Sequence, residues 1–184
     1  MKSKKRLALF TVVAVIQLAI VLYMAWQWED ILQTGQRFEW ETAPVDPYDA
    51  FKGRYIDLGF KERSGPVMDN AKFAYGQKAY AIIGKNADGK AIISGVSAKQ
   101  PAGKPYVKVK VTYVENGKAH VQLPFRRYYL PEHWAALAET AYRESAGKTG
   151  VAAVRLKNGY GVVEELYIGD KTLDEYLRNS LSKK

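Results

Sequence analysis

The sequence predicts an α+β chain: an N-terminal single transmembrane helix followed by a mainly antiparallel β domain with two short helices. Three observations predict it. Residues 7–26 run for 20 positions without one charge. Three Asn-Gly or Asp-Gly pairs separate stretches of strand character, and such pairs are the strongest short-range hairpin signal. Two later segments repeat their apolar residues with a helical period.

The uncharged run comes first. At about 1.5 Å per helical residue it spans roughly 30 Å, the thickness of a bilayer's hydrocarbon core. Lys2, Lys4, Lys5 and Arg6 precede it, and Tyr23, Trp26 and Trp28 close it. Basic residues stay on the cytoplasmic side, and aromatic rings gather at the membrane surface. The alternative is a cleaved signal peptide, but that needs small residues at two set positions near the end of the run. The residues there are Leu22, Tyr23, Met24, Ala25 and Trp26. Gln17, apart from Thr11, is the one polar interruption, and an amide in lipid can bond to a partner helix. The reading is therefore a single-pass protein of the inner (cytoplasmic) membrane. Residues 1–6 form a cytoplasmic basic segment and 7–28 the transmembrane helix. The C-terminal domain lies outside the cytoplasm, in the periplasm if the cell is Gram-negative.

Charge and composition exclude several functions. The chain has 28 basic and 19 acidic residues, net +9. The first six residues carry +4 of this, leaving +5 on the exported part. That is no nucleic-acid footprint, so no nucleic-acid partner is expected. There is no cysteine, which excludes disulfides, thiol catalysis and Cys-based metal sites.

Residues 29–43 read as the helix end and a first strand. Gly35 is a natural stop, and residues 37–42 alternate apolar and polar. Residues 79–83 and 91–94 flank Asp88-Gly89 as one hairpin. Val107, Val109 and Val111 share one strand face; Tyr106, Lys108, Lys110 and Thr112 share the other. Asn116-Gly117 turns that strand into residues 119–123. Asn158-Gly159 joins residues 151–156 to 162–168. Residues 81–86 and 154–158, each with its following strand, echo one another faintly. Between the hairpins, Pro131 suits a first helical turn, and Trp134, Leu137, Ala138, Ala141 and Tyr142 make one apolar face ending near Gly147. Near the C-terminus, Thr172 and Glu175 have capping-box spacing, with Leu173, Tyr176 and Leu177 as the buried face. Residues 180–184 read as a flexible tail.

The most distinctive exported stretch is residues 44–60. Pro44 leads in. Asp46 can cap a single helical turn that begins at Pro47, and Gly53 lets the chain reverse. Beyond it Ile56, Leu58 and Phe60 fall on one face, with Tyr55 and Asp57 on the other. Tyr55 could tie the turn to a neighbour through its hydroxyl. This stretch resembles the GDYXXLXY family of membrane-anchored proteins. The sequence keeps Gly53, Tyr55 and Leu58, while Arg54 stands where the family has Asp and Phe60 where it has Tyr. A second stretch, Arg127, Tyr128, Tyr129, Leu130, Pro131 and Glu132, is similar to a further family block, an aromatic strand leading to a Pro-Glu helix start. The resemblance covers residues 44–60 well and the whole chain loosely, makes residues 44–179 the GDYXXLXY-like exported domain, and implies no established activity. Family members look like small exported domains often encoded beside polytopic membrane proteins, which implies a partner of that kind. The Asp-to-Arg change leaves a structural role for the turn easier to keep than a metal-binding or proton-moving one.

No spacing of reactive residues marks a catalytic or metal-binding constellation. His120 and His133 lack ligand spacing to other residues, so no metal or cofactor is expected. A signal-peptidase arrangement needs a serine soon after the anchor; none lies between Ser3 and Ser64, and Ser64-Gly65-Pro66 reads as a loop turn. Glu164 and Glu165 are adjacent and point to opposite strand faces. The expectation is an accessory or interaction domain without catalytic residues. The alternatives are an envelope hydrolase whose Ser or carboxylate site forms only in three dimensions, and an envelope ligand-binding or sensor module. A cleft joining Glu132, His133 and a serine would favour the hydrolase.

Overall fold

The computed structural model describes residues 2–45 and 55–181. A single helix, α1 (Lys2–Thr34), takes in both the basic segment and the apolar run and continues past Trp28, as expected. Among the described residues nothing covers its middle: Phe10 is 71% exposed and Leu22 69%. Over Lys4–Thr34 it is long and apolar enough to cross a membrane, a test that a signal sequence near an N-terminus also passes. Gly35 ends the helix, its amide donating to the Ile31 carbonyl at 2.9 Å. A Cβ at this position would sit 2.4 Å from that carbonyl oxygen and 3.1 Å from Arg155 Cβ. Clearance requires this glycine; its φ is not in the left-handed region that a C-cap glycine usually adopts.

Twelve strands follow among the described residues. The first sheet is built from β1 (Gln36–Ala43), β3 (Gly59–Phe60), β10 (Gly150–Lys157), β11 (Tyr160–Ile168) and β12 (Lys171–Thr172), in the order β12-β11-β10-β1-β3. The second contains β4 (Ser64–Pro66), β5 (Lys78–Lys85), β6 (Ala91–Ser97), β7 (Tyr106–Glu115) and β8 (Lys118–Gln122), in the order β4-β8-β7-β5-β6. A separate ribbon pairs β2 (Tyr55–Asp57) with β9 (Arg127–Tyr129). All pairs of named strands are antiparallel.

The three turn signals make the three hairpins. Asn116 and Gly117 both have positive φ (50° and 73°), as do Asn158 and Gly159 (53° and 81°), the geometry that suits two-residue hairpins. At the third, the Asn86 side chain accepts from the amides of Asp88 and Lys90. Short helices complete the domain: a 3₁₀ turn (Glu132–Trp134), α2 (Ala135–Ser145) and α3 (Leu173–Leu181). The capping box forms: Glu175 accepts from the Thr172 amide at 3.1 Å, and Thr172 Oγ1 accepts from the Glu175 amide at 3.3 Å.

Aromatic packing centres the core. Trp40 is fully buried, with its ring 5.1 Å from Phe125 and 6.3 Å from Phe60. Alternate residues of β1, β5, β7 and β10 point into it, among them Phe38, Ala81, Val107, Val109 and Val154. Fully burying a side chain of this class contributes about 1.5–3 kcal/mol.

Four expectations are corrected. The strand through Ile56, Leu58 and Phe60 buries all three, but it breaks at Leu58 because its two halves pair with different strands, β9 and β1. Ser64-Gly65-Pro66 is an edge strand on β8, where a proline costs no ladder bond; a Cβ at Gly65 would meet Ile93 Cγ2 at 2.5 Å. Leu137 is 43% exposed, while of that helix face Ala138, Ala141 and Tyr142 are buried and Trp134 packs, partly buried, against the core. The chain at Ser180 is helical and Ser180 Oγ donates to the Tyr176 carbonyl, so the tail read from 180 begins within α3.

Candidate functional site

The two stretches that carry the family resemblance meet in space. Tyr55 lies opposite Tyr129, Ile56 opposite Tyr128 and Asp57 opposite Arg127. Beyond the ribbon, the Leu58 amide donates to the Arg126 carbonyl at 2.7 Å. On the outer face, the Tyr55 ring is 5.8 Å from Tyr129, and the Arg127 guanidinium stands 4.6 Å over it. Ring packing therefore fixes Tyr55. Among the described residues, two other tyrosines make hydroxyl ties. Tyr128 donates to Glu165 Oε1 at 2.7 Å, and burial followed by that carboxylate raises its pKa. Tyr142 Oη donates to the Ala43 carbonyl at 2.8 Å and accepts from the Gly59 amide at 2.9 Å. Burial is the main cause that pushes Tyr142 up to about 12. This hydroxyl staples the ends of β1 and β3.

The remaining motif residues divide between core and surface. Leu58 and Phe60 are buried. Pro44 is exposed against Gly147, whose φ is 78° and whose amide donates to the Thr42 carbonyl. Pro131 precedes the 3₁₀ turn, its carbonyl accepting from the Trp134 amide, and Glu132 opens that turn on the surface. Asp46, Pro47 and Gly53 lie outside the described residues.

Beside the ribbon runs an open cleft of about 1300 Å³. Lys78 and Lys110 line it from β5 and β7, Trp28 from the helix, and Arg126 and Arg127 line it as well. Lys108 also lines it, with its ammonium 4.2 Å over the Tyr160 ring; Tyr160 in turn meets the Trp28 ring edge-on at 6.4 Å. A smaller cleft of about 590 Å³ lies between Arg63, Arg126 and the stacked Tyr113 and His120 rings, 4.1 Å apart. Neither cleft is lined by Glu132, His133 or a serine.

The helix is fastened to the domain at its lower end. Ile31 is buried. Lys157 Nζ donates to both Asp30 carboxylate oxygens at 2.9 and 2.7 Å and to Thr34 Oγ1 at 2.7 Å. Arg155 donates to the Gly35 carbonyl at 3.2 Å and to Glu164 at 2.7 Å. Arg37 bridges Glu164 and Glu39, and Lys90 completes the row at 2.7 Å from Glu39. Glu164 is held below the usual carboxylate range by the Arg155 hydrogen bond first, and Glu39 by Lys90 first. Glu164 and Glu165 take different partners, as their adjacency implied. His133 rests beside Trp134 at 5.3 Å. Among the described residues no group of three or more His, Asp or Glu side chains could hold a metal ion.

None of these residues alone marks a reaction. Together they define an α+β domain fused without a break to a long apolar helix, with an aromatic-basic cleft beside the junction. The chain belongs to the GDYXXLXY family: the family model described as GDYXXLXY protein matches residues 17–166. The match begins inside α1, so the junction lies within the family unit. No curated protein and no solved structure matches the chain.

Proposed function

We propose that this protein is a single-pass membrane protein of the cell envelope without catalytic activity, an accessory or interaction domain that docks on a polytopic membrane partner. The basic N-terminus lies in the cytoplasm and the domain outside it. The observation that carries this reading is the rigid junction. Ile31, Asp30 and Trp28 of the helix are packed and bonded to the β10–β11 hairpin, which supports a domain held at a fixed height and rotation above the bilayer. A domain tethered only for retention would need no such fastening. The end of the run, Leu22 to Trp26, lacks small residues at the two positions a cleavage site needs, which supports a retained anchor over a cleaved signal. A second reading, an envelope ligand-binding module, is favoured by the cleft beside the junction.

The test is a mild-detergent pull-down of the tagged full-length chain with mass spectrometry. The controls are a chain with an unrelated anchor and a chain with a flexible Gly-Ser insert after Thr34. Docking predicts a stoichiometric polytopic protein that the wild type retains and the insert variant loses. A solitary protein, or a partner held equally by all three chains, contradicts it.

A further inference from the structure

The cleft contains an electrostatic arrangement that the fold itself does not need. Lys78 and Lys110 are directly opposite one another in the β5–β7 register, with Tyr80 opposite Lys108 next to them. Like charges directly opposite in an antiparallel pair destabilise it. Both lysines are exposed on the cleft face, and neither has a carboxylate partner among the described residues. Arg126 and Arg127, which also line the cleft, add positive charge. The acids lining the cleft are Asp57, opposite Arg127 in the ribbon, and Glu164, already held by Arg155 and Arg37. The cleft is thus an anion site by charge.

We propose that this cleft seats the phosphate of an anionic phospholipid headgroup from the membrane that α1 crosses, with Lys78 and Lys110 as the paired donors and Lys108 at the entrance. The proposal rests on the membrane placement argued above. That placement favours lipid over a soluble anion. Trp28 lines the cleft, and a tryptophan at the end of an apolar helix sits at headgroup level. From Trp28, one ring, Tyr160, leads to the Lys108 ammonium. Basic side chains at this height are attracted to anionic lipid, and an ammonium is a good point-charge partner for phosphate.

The test uses the full-length chain in micelles holding equal phosphatidylglycerol and phosphatidylcholine, with the retained lipids quantified by mass spectrometry. The wild type should retain phosphatidylglycerol preferentially. Lys78→Gln/Lys110→Gln should weaken that preference by about thirtyfold, from the usual contribution of two surface cations. Lys171→Gln, on a strand away from the cleft, should leave it unchanged. Inorganic phosphate at the same concentration should not displace the lipid. An unchanged preference in the double variant, an equal loss in Lys171→Gln, or displacement by inorganic phosphate would each overturn the proposal. Alkaline carbonate extraction separates the two readings. A chain that leaves the membrane defeats the anchoring. A chain that stays but lacks lipid preference defeats the headgroup site alone.

Discussion

The outer faces of the β10–β11 hairpin and of the β5–β7 pair treat charge in opposite ways. Across β1, β10 and β11, Arg155, Glu164, Arg37 and Glu39 alternate in sign, Lys90 just before β6 extends the row, each group lies within 3.2 Å of the next, and Lys157 closes on Asp30. On β5–β7, Lys78 faces Lys110 with no acid between them. The sequence echo relates the β10–β11 hairpin to β5–β6, and in each a register shift leaves one extra residue in the second strand, Glu164 opposite Ala153/Val154 and Ser94 opposite Ile82/Ile83. Similar local frames thus serve two ends. The charge-matched face fastens the helix, and the unmatched face carries the proposed headgroup site.

Substitutions should separate the two faces. Gly35→Ala should have the largest effect, about 3 kcal/mol of lost stability by denaturant unfolding, because its Cβ would press on backbone at the junction. Arg155→Ala should cost about 2 kcal/mol, leaving Glu164 and the Gly35 carbonyl short of a charged donor. Acid should act on the same face. Glu39 and Glu164 have folded pKa values below the ordinary 4.5, so the stability they contribute is present above that value. A pH series of thermal melts should therefore stay level down to about pH 4.5 and fall below it as both carboxylates take up protons. The smallest effect belongs to the unmatched face. Lys110→Gln should stay within about 0.5 kcal/mol of wild type, and on the stabilising side, because it relieves a like-charge pair. A clear destabilisation by Lys110→Gln would break the comparison.

Local signals made much of this fold legible. Asn116-Gly117, Asn158-Gly159 and Thr172 with Glu175 specify their turns and cap by short-range chemistry, and the alternation at Ile56, Leu58 and Phe60 is set by the pleat. The charge pattern was not legible in the same way. Lys78 meets Lys110 because β5 pairs with β7 on the side away from its own hairpin partner, and no turn encodes that register. The Asp30–Lys157 pair spans 127 positions. The pairing of the two motif stretches was equally hidden: each could be read as a strand or turn by itself, but only the fold shows Tyr55 against Tyr129. The break at Leu58 follows from the same non-local choice, since one strand cannot serve two partners without bending.

The central claim is that matched charges and the buried Ile31 hold the helix and domain as one body. The chain has no cysteine, so Val21→Cys and Ala87→Cys introduce a unique pair of spin-label sites, one on α1 and one at a hairpin tip. Double electron–electron resonance on the full-length protein in a nanodisc should give one narrow distance distribution. It should broaden when Lys157→Met is added. A broad distribution in the chain that keeps Lys157 would contradict the rigid junction, and with it the account of why this face is matched.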